Sequence, residues 1–364
     1  MARFLRRLKQ RPQNILVART DRIGDFVLTL PVFEALKTVY KLDFTVLCQG
    51  AVKPLLENNP FVGATITVKS DTVALVDEIR RHNFDCLLVL VNDPLMRKLI
   101  SKLGFIPVRI GPLSRPSVLF KYSHPVIQKR SRSVLNEAEY NLALLEIFGK
   151  TDTPFPRPKL YFTDGEIEQA QSVLTAKLDL AALPQQFAIM HQGMGGSALN
   201  WEDNQYRAFL EKALKHGFVV FLTGSSDGEL QQNQQLVKEY KTAFPQQIFD
   251  LSGQMTLREF AALIKLAFVF VGPSTGPTHL ANAVETEIIT FYPPIQVQSA
   301  KRWGPFKAKA NIFSPDVECG QKYKCIKEKC PHFYCMNKIT VEDVFSTFLG
   351  IAERHQIKPV NLVK

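Results

Sequence analysis

Two aspartates and two arginines lie close together directly after the apolar run Ile15–Ala18. The segment Ile15–Arg19 is predicted to be a buried strand, and the glycine in Asp21-Arg22-Ile23-Gly24-Asp25 allows a tight turn into the following helix. Asp25 could cap that helix, or it could face a ligand as a general base. In the second case Arg19 and Arg22 would bind anionic groups of the substrate beside it.

A second candidate site follows the apolar run Phe268–Val271 and has the sequence Gly272-Pro273-Ser274-Thr275-Gly276-Pro277-Thr278-His279. Proline suits the first helical position, and Ser274 or Thr275 can cap the helix. The free N–H groups and the dipole at a helix start attract anions, while hydroxyls and His279 add side-chain donors. The segment therefore predicts a diphosphate site. A capped helix with a packed histidine is the structural alternative.

A third loop, His191-Gln192-Gly193-Met194-Gly195-Gly196-Ser197-Ala198-Leu199-Asn200-Trp201, also follows a predicted strand. Its glycines do not match the G-x-G-x-x-G spacing of a dinucleotide-binding turn. The backbone of Gly195 and Gly196, together with Ser197, could still line a phosphate or a sugar. We expect Trp201 to anchor the loop on its domain rather than to touch a ligand.

The elements that must position these segments alternate along the chain. Short apolar, β-branched runs alternate with segments of helical period twice over, which predicts an α/β protein of two doubly wound parallel-sheet units. Three prolines between Thr151 and Lys159 mark a linker. We therefore expect domains at 1–155 and 156–340 and a terminal helix within 341–364. Ligands of such sheets bind beyond the carboxyl ends of the strands, where all three segments lie.

The charge of the chain is unevenly distributed. Residues 1–150 hold 23 Lys and Arg against 13 Asp and Glu, whereas residues 151–364 hold 22 against 21. The stretch Pro94–Asn136 has nine basic residues, Arg130 and Arg132 among them, and no acidic residue. An anionic partner is therefore expected on the first half, such as a phosphorylated lipid or a membrane surface. Nucleic acid also fits the charge, but no recognisable binding motif supports it, so we expect none.

Length and composition exclude several classes of protein. With 364 residues, 46% hydrophobic and 22% charged, the chain has ordinary globular composition. The sequence has no run of 18 apolar residues, and Ile15–Ala18 is too short for a signal peptide, so a cytoplasmic protein is expected. The basic segment Met1–Gln13 is expected to be either a frayed tail or a short amphipathic segment on the inner leaflet.

Four cysteines cluster before the predicted terminal helix: Cys319, Cys325, Cys330 and Cys335. Clustered thiols in a cytoplasmic chain favour a metal over disulfides. Their spacing, however, lacks the Cys-x-x-Cys of common zinc sites. Structural zinc or iron, disulfides and free thiols all stay open. Cys48 and Cys86 lie in apolar runs and are expected to be buried thiols.

The chain resembles glycosyltransferase family 9, the lipopolysaccharide heptosyltransferase family. The resemblance is carried by NILVARTDRIGDFVLTLPVFEALK, HQGMGGSALNW and VGPSTGPTHLANA, which occur in the family's order along nearly the whole chain. It implies a GT-B fold: two Rossmann-like domains facing a cleft, with the last helix crossing back to the first. It also implies inverting, metal-independent transfer of a sugar, typically heptose from ADP-heptose, to the inner core of lipopolysaccharide at the inner membrane.

The resemblance also implies roles for single residues. Asp25 matches the family's catalytic aspartate, Glu229 falls where a carboxylate contacts the ribose of the nucleotide, and Met255 falls near the adenine. The residues expected on the donor are Gly195, Gly196, Ser197, Glu229, Met255, Ser274, Thr275, Gly276 and His279. Leu199 stands where many members of the family have Lys or Arg, and Ser274 stands where many have Asp. Because both positions are on the donor side, the identity of the donor sugar stays open.

In such a transferase the nucleotide donor belongs to the second domain, so the excess positive charge lies on the acceptor domain. The arginines expected to meet the anionic lipid-linked acceptor, or the membrane, are Arg19, Arg22, Arg130 and Arg132. Two alternatives remain. The chain could transfer another sugar to another glycan or to protein, or it could be a catalytically silent sugar-nucleotide-binding relative.

Overall fold

The computed structural model describes residues 3–113, 120–196 and 198–359. The chain divides into two compact units, Met1–Tyr161 and Phe162–Lys364. This boundary lies slightly beyond the expected one at residue 155. Within the described stretch 149–163 there is no helix or strand, as the alternating prolines require.

The first unit is built around a sheet whose neighbouring strands run parallel, except at one edge. Its described strands are β1 (Arg3–Phe4), β2 (Ile15–Ala18), β3 (Phe44–Cys48), β4 (Ala64–Thr67), β5 (Cys86–Val89), β6 (Val108–Pro112) and β7 (His124–Ile127). They lie in the order β1-β7-β6-β5-β2-β3-β4. Strands β2, β3 and β5 are buried at every residue, as in a sheet covered on both faces.

The basic N-terminal segment differs from both expectations. Arg3 and Phe4 pair antiparallel with Ile127 and Val126, so they form an edge strand of the first sheet. The partner strand β7 was not predicted either, since it contains Pro125 and is only four residues long. Two paired residues give no periodicity that a sequence could reveal.

Besides short 3-10 helices, five α-helices lie in the described part of the first unit. They are α1 (Ile23–Val27), α2 (Leu30–Thr38), α3 (Thr72–Arg81), α4 (Pro94–Lys102) and α5 (Glu137–Leu142). The sequence predicts one helix from Asp25 to about Tyr40, but the structure divides it near Thr29, because Pro31 belongs to the first turn of a new helix. The sequence also predicts a helix over Val134–Phe148; helix α5 starts later than that, since Asn136 caps it in a capping box with Glu139.

The second unit has a sheet in which all neighbouring strands are parallel. Its described strands are β8 (Ala188–His191), β9 (Val220–Thr223), β10 (Ile248–Asp250), β11 (Val269–Pro273), β12 (Glu287–Phe291) and β13 (Ala310–Phe313). Their order is β10-β9-β8-β11-β12-β13. The helices are α6 (Asp164–Lys177), α7 (Asp203–Lys215), α8 (Asp227–Tyr240), α9 (Leu257–Leu266), α10 (Gly276–Ala283), α11 (Ala300–Trp303) and α12 (Val341–Arg354).

The terminal helix α12 packs into the core of the second unit. Phe348 is fully buried and meets Phe209 of α7 and Phe218 edge-on, with ring centroids 5.3 and 4.9 Å apart. Val344 and Ile351 on the same face are also buried. The apolar face of α12 is therefore packed within the second unit, and the expected crossing of the last helix to the first domain stays a prediction.

The structure also bears on membrane spanning. Among the described residues, no helix is both long enough and apolar enough to cross a bilayer.

Candidate functional site

The first predicted segment lies at the carboxyl end of β2. Arg19 follows this strand directly, and Asp25 is the third residue of helix α1. The carboxylate of Asp25 accepts a hydrogen bond from Nη2 of Arg19 at 2.9 Å. Its backbone carbonyl accepts one from the hydroxyl of Thr29 at 3.0 Å. Both the side chain and the backbone carbonyl of Asp25 are therefore held by hydrogen bonds close to the strand end.

Arg19 is the centre of a buried ionic network, with only 1% of its surface exposed. Its Nε and Nη2 donate to the two carboxylate oxygens of Asp21 at 2.7 and 2.9 Å, in a fork that suits a guanidinium. Nη1 donates to Oδ1 of Asn141 at 3.1 Å and lies 3.6 Å from Oε1 of Glu137. With the bond to Asp25, three carboxylates share one cation.

This sharing determines the acidity of the network. Burial alone would lower the pKa of Arg19, but the charges of Asp21, Asp25 and Glu137 together raise it. Burial raises the pKa of Asp25 to about 7; Arg19 opposes this shift, while Asp21 and Glu137 add to it. The pKa of Asp21 is also raised, again by burial. Asp25 can thus take up a proton near neutral pH, as a general base must.

The four arginines expected on the acceptor differ in position. Arg22 and Arg132 are exposed. Arg130 is partly buried and donates from Nη1 to Oε1 of Glu137 at 2.5 Å. Arg19 points inward and its nitrogens bond to protein groups, so this geometry does not support a direct contact between Arg19 and an acceptor.

The predicted donor residues of the second unit share one edge of its sheet. His191 pairs with Thr223, and Val271 pairs with Met190, so strands β8, β9 and β11 end at nearly the same level. The loops that follow β8, β9, β10 and β11 therefore start from this edge. The predicted residues on these loops and the helix starts after them are Gly195, Gly196, Glu229, Met255, Ser274, Thr275, Gly276 and His279.

The glycine pair after β8 has a backbone that other residues avoid. Gly195 and Gly196 have φ values of 58° and 70°, in the left-handed region. A tight turn therefore lies here, as the loop sequence predicted. Ser197, the third predicted donor residue of this loop, lies outside the described residues. Trp201 is buried and donates to the carbonyl of Ile339 at 2.9 Å, which confirms that it anchors the loop.

The start of helix α10 has the features of an anion site. Thr275 is its N-cap residue, and its hydroxyl donates back to the carbonyl of Pro273 at 3.4 Å. Ser274, Thr275 and Gly276 are partly exposed. The N–H groups of a first helical turn lack partners within their own helix and suit phosphate oxygens.

His279 lies deeper in the same helix than expected for a ligand contact. Only 4% of its surface is exposed, and its Nδ1 has no hydrogen-bond partner among the described residues. Burial lowers the pKa of His279 to about 4, so the ring is neutral at physiological pH. The packed-histidine alternative therefore fits this position, and a direct contact with a donor stays a prediction.

Glu229 is held at the start of helix α8. Its Oε2 accepts the backbone N–H groups of Ser225 and Ser226 at 2.7 and 3.1 Å. Burial by itself would raise the pKa of Glu229. The hydrogen bonds from these N–H groups, together with the charge of His191, outweigh that effect and hold the pKa below its ordinary value. The side chain is thus an ionised, oriented acceptor at the sheet edge, suitable for a hydroxyl group.

Gly193 lies directly against the carboxylate of Glu229, a contact that sequence analysis did not identify. A Cβ atom on Gly193 would lie 1.9 Å from Oε1 of Glu229, so only glycine lets the carboxylate occupy its place. The glycine-rich loop and the helix of Glu229 are therefore matched to each other. The only signal in the sequence was a third glycine in the loop, without any indication of its neighbour.

The four clustered cysteines line one cavity of about 160 Å³, together with His332. Among the described residues, no group of three or more His, Cys, Asp or Glu side chains is arranged to hold a metal ion. The structural zinc or iron at this place stays a prediction. Cys48 and Cys86 are buried thiols, as expected.

Comparisons with known proteins agree with this architecture. A Haemophilus influenzae protein provisionally named a glycosyltransferase is 34% identical over 307 residues, which cover 80% of this chain and 86% of that protein. Lipopolysaccharide heptosyltransferase 3 of Escherichia coli is 25% identical over 292 residues, 74% of this chain and 79% of the relative. The structure of E. coli ADP-heptose lipopolysaccharide heptosyltransferase II superimposes with a TM-score of 0.76 at 18% identity, covering 94% and 99% of the two chains.

The structural match confirms the expected GT-B fold class, an α/β protein with two parallel sheets. Among the described residues, the edge strand β1 is the one strand that pairs antiparallel. The sequence profile of glycosyltransferase family 9 (heptosyltransferase) matches residues 72–332. Together with the 34% identical relative, this match covers most of the chain. The protein therefore belongs to glycosyltransferase family 9, the heptosyltransferase family, and is a glycosyltransferase.

Proposed function

We propose that the protein is an inverting, metal-independent glycosyltransferase. It transfers a heptose from ADP-heptose to the inner core of lipopolysaccharide or to a similar phosphorylated glycolipid. The observation that carries the proposal is the carboxylate of Asp25: it is partly buried at a strand end, and burial raises its pKa to about 7. The names of the E. coli relatives, both heptosyltransferases, support the choice of sugar.

In the proposed reaction Asp25 takes the proton of the acceptor hydroxyl. The freed oxygen attacks the anomeric carbon, and the bond from that carbon to the diphosphate oxygen breaks with its electron pair. The configuration inverts because the displacement is single. A base whose pKa is near the working pH suits this step, since it is ionised before the attack and can still accept a proton.

The second unit is proposed to bind the donor. The start of α10, with Thr275 and Gly276, would meet the diphosphate and stabilise the charge that develops on it. Glu229 would accept a hydrogen bond from a ribose hydroxyl, and Met255 would lie against the base. This arrangement needs no net positive charge from side chains, which agrees with the nearly balanced charge of residues 151–364.

The first unit is proposed to bind the acceptor at the cytoplasmic face of the inner membrane, as a peripheral protein. Arg22 and Arg132 are exposed, and both are proposed to meet phosphate groups of the acceptor or of anionic lipids. Arg130 was expected to act with them, but its bond to Glu137 favours another role, which is argued below. Within the basic stretch Pro94–Asn136, residues 114–119 lie outside the described part of the chain.

The identity of the donor sugar has specific alternatives. Leu199 and Ser274 differ from the family pattern, so another sugar, another glycan or a protein acceptor is the alternative, as is a silent binding protein. Thermal-shift measurements with a panel of nucleotide sugars distinguish these cases, because a bound donor stabilises the folded state. Stabilisation by ADP-heptose above all others supports the proposed sugar.

The substitution Asp25→Asn tests the proposed base. We expect it to reduce transfer by at least about a hundredfold, since the side chain can no longer accept a proton. The thermal shift produced by ADP-heptose should persist, because the donor residues are unchanged. Asp43→Asn is the matched control, as Asp43 is exposed on the same unit. Full activity of Asp25→Asn would contradict the mechanism.

The pH profile provides an independent test. Because the base must be ionised, kcat/KM should fall on the acid side of a pKa near 7, by about tenfold per pH unit. Activity should be constant just above this range until another group titrates. A profile that is flat between pH 5 and pH 8 would exclude Asp25 as the titrating base.

Gly193→Ala tests the donor side. The new methyl group would overlap the carboxylate of Glu229 and displace it, so we expect a raised KM for the nucleotide donor and an unchanged KM for the acceptor. Gly228→Ala is the matched control, since a Cβ atom there faces open space at the start of the same helix. Equal donor affinity in both variants would argue against a donor contact by Glu229.

The cysteine cavity is proposed as the place of a structural zinc or iron, with no role in the transfer. Thiolates suit both metals. Elemental analysis of purified protein should then find about one metal ion per chain, and Cys330→Ser should lose it. Thiol titration separates the alternatives, because free thiols react fully and disulfides react only after reduction. Absence of stoichiometric metal would remove this proposal.

A further inference from the structure

We propose that Glu137 is a positioning residue for the catalytic base: acting through Arg19, it fixes the orientation of the Asp25 carboxylate. The inference rests on the proposed role of Asp25 as the base. It concerns a residue of α5 that none of the sequence motifs contains.

Glu137 is the first residue of α5, and only 3% of its side chain is exposed. Its Oε1 accepts from Nη1 of Arg130 at 2.5 Å and lies 3.6 Å from Nη1 of Arg19. Since Nη2 of Arg19 donates to Asp25, four charges of alternating sign follow one another from Arg130 to Asp25. A displacement at one end of this chain is therefore transmitted to the other.

The helix itself gives no reason for a buried acid at this position. Asn136 and Glu139 form the capping box of α5. Oδ1 of Asn136 accepts a hydrogen bond from the N–H of Ala138 at 3.0 Å, and Oε2 of Glu139 accepts one from the N–H of Asn136 at 2.7 Å. An acidic residue in the first turn also interacts with the helix dipole from an exposed position. Burying Glu137 costs free energy unless the charge is paired, so its use lies in the pairing.

Helix α5 places two groups against the same nitrogen of Arg19: Oδ1 of Asn141 accepts a hydrogen bond from Nη1, and the carboxylate of Glu137 is its ion-pair partner. Glu137 and Asn141 are four residues apart, so they lie on one face of the helix, and both approach Nη1. Asp21 holds Nε and Nη2 in its fork, and the contacts from α5 hold the third nitrogen, Nη1, so together they fix the guanidinium group. Nη2 thereby stays in the position from which it bridges Asp21 and Asp25. Without the charge of Glu137, Nη1 is held by Asn141 alone, and the direction of the hydrogen bond from Nη2 to Asp25 is fixed less closely.

Arg130 holds Glu137 from the other side. It donates to Oε1 of Gln128 at 3.0 and 2.8 Å, and its guanidinium lies 5.6 Å from the ring centre of Tyr140. Gln128 in turn donates to the carbonyl of Tyr140 at 2.7 Å. The arginine is thus fixed by groups on and beside α5. We assign it to the support of Glu137 rather than to the acceptor.

The charged groups that act on Asp25 are Arg19, Asp21, Glu137 and Arg22. Glu137 contributes a negative charge, and this charge raises the pKa of Asp25. Removing it would shift the titration of Asp25 downward. The positioning role therefore predicts a change in the pH profile in addition to a change in rate.

The test is Glu137→Gln in the full-length protein, assayed with ADP-heptose and inner-core lipopolysaccharide. We expect kcat to fall between about tenfold and a hundredfold, the range for a small misplacement of a reacting group. Both KM values should stay unchanged, and the acid limb of kcat/KM should move to lower pH. A wild-type kcat and pH profile would overturn the inference.

Glu139→Gln is the matched control, because it makes the same change two residues further on, at an exposed position. Glutamine also suits this place in a capping box, so the helix is preserved. A loss of kcat common to both variants would point to general damage of α5 and would count against positioning by Glu137.

Arg130→Met is the second variant, and it tests the positioning role of Glu137 even if the Glu137→Gln protein fails to fold. A lower kcat with an unchanged acceptor KM supports the positioning role. A raised acceptor KM with an unchanged kcat would overturn it and assign Arg130 to the acceptor instead.

The two levels of the proposal fail differently. An active Asp25→Asn protein refutes Asp25 as the base. An inactive Asp25→Asn protein, together with wild-type behaviour of Glu137→Gln, refutes only the positioning by Glu137.

Discussion

The first unit depends on how one buried cation is neutralised. A guanidinium removed from water is unfavourable unless its donors meet acceptors and its charge meets charge. Arg19 is satisfied by Asp21 and Asp25 beside it and by Glu137 and Asn141 of α5. Loss of one partner of a buried ion pair generally costs about 3 to 5 kcal/mol, so β2, α1 and α5 are held in a common arrangement. The same arrangement gives Asp25 its acidity.

The two units handle charge by different means. In the first, ionised side chains are buried together and perturb one another, which leaves a proton acceptor near neutral pH. In the second, Glu229 is held by backbone N–H groups, and the proposed anion site at α10 is a helix start. This difference agrees with the distribution of charge: 23 basic against 13 acidic residues up to residue 150, and 22 against 21 beyond it. In the proposed function, base chemistry and anion binding are thus assigned to different units.

Much of the fold could be predicted where the pattern is strong. The sequence predicts a strand over Phe44–Cys48 and a helix over Leu257–Leu266, and β3 and α9 have these bounds, since a buried apolar run and a clear helical period leave little choice. Strands β1, β7 and β13 were missed, because they are short, contain proline or lie at an edge with exposed residues. Helix α5 could be predicted only approximately, since its capping box, rather than its apolar period, sets the start.

The sequence by itself determined the family, the alternation of strands and helices, and the strand-to-helix turns that carry Asp25, the glycine loop and the start of α10. These depend on local backbone preferences, which neighbouring residues encode. Only the tertiary structure decided that Arg19 points inward, that Asn141, 122 residues away, bonds to it, and that Glu229 occupies the space above Gly193. The physical reason is that the order of strands in a sheet, and the packing of helices on it, bring together side chains whose spacing in the sequence carries no signal.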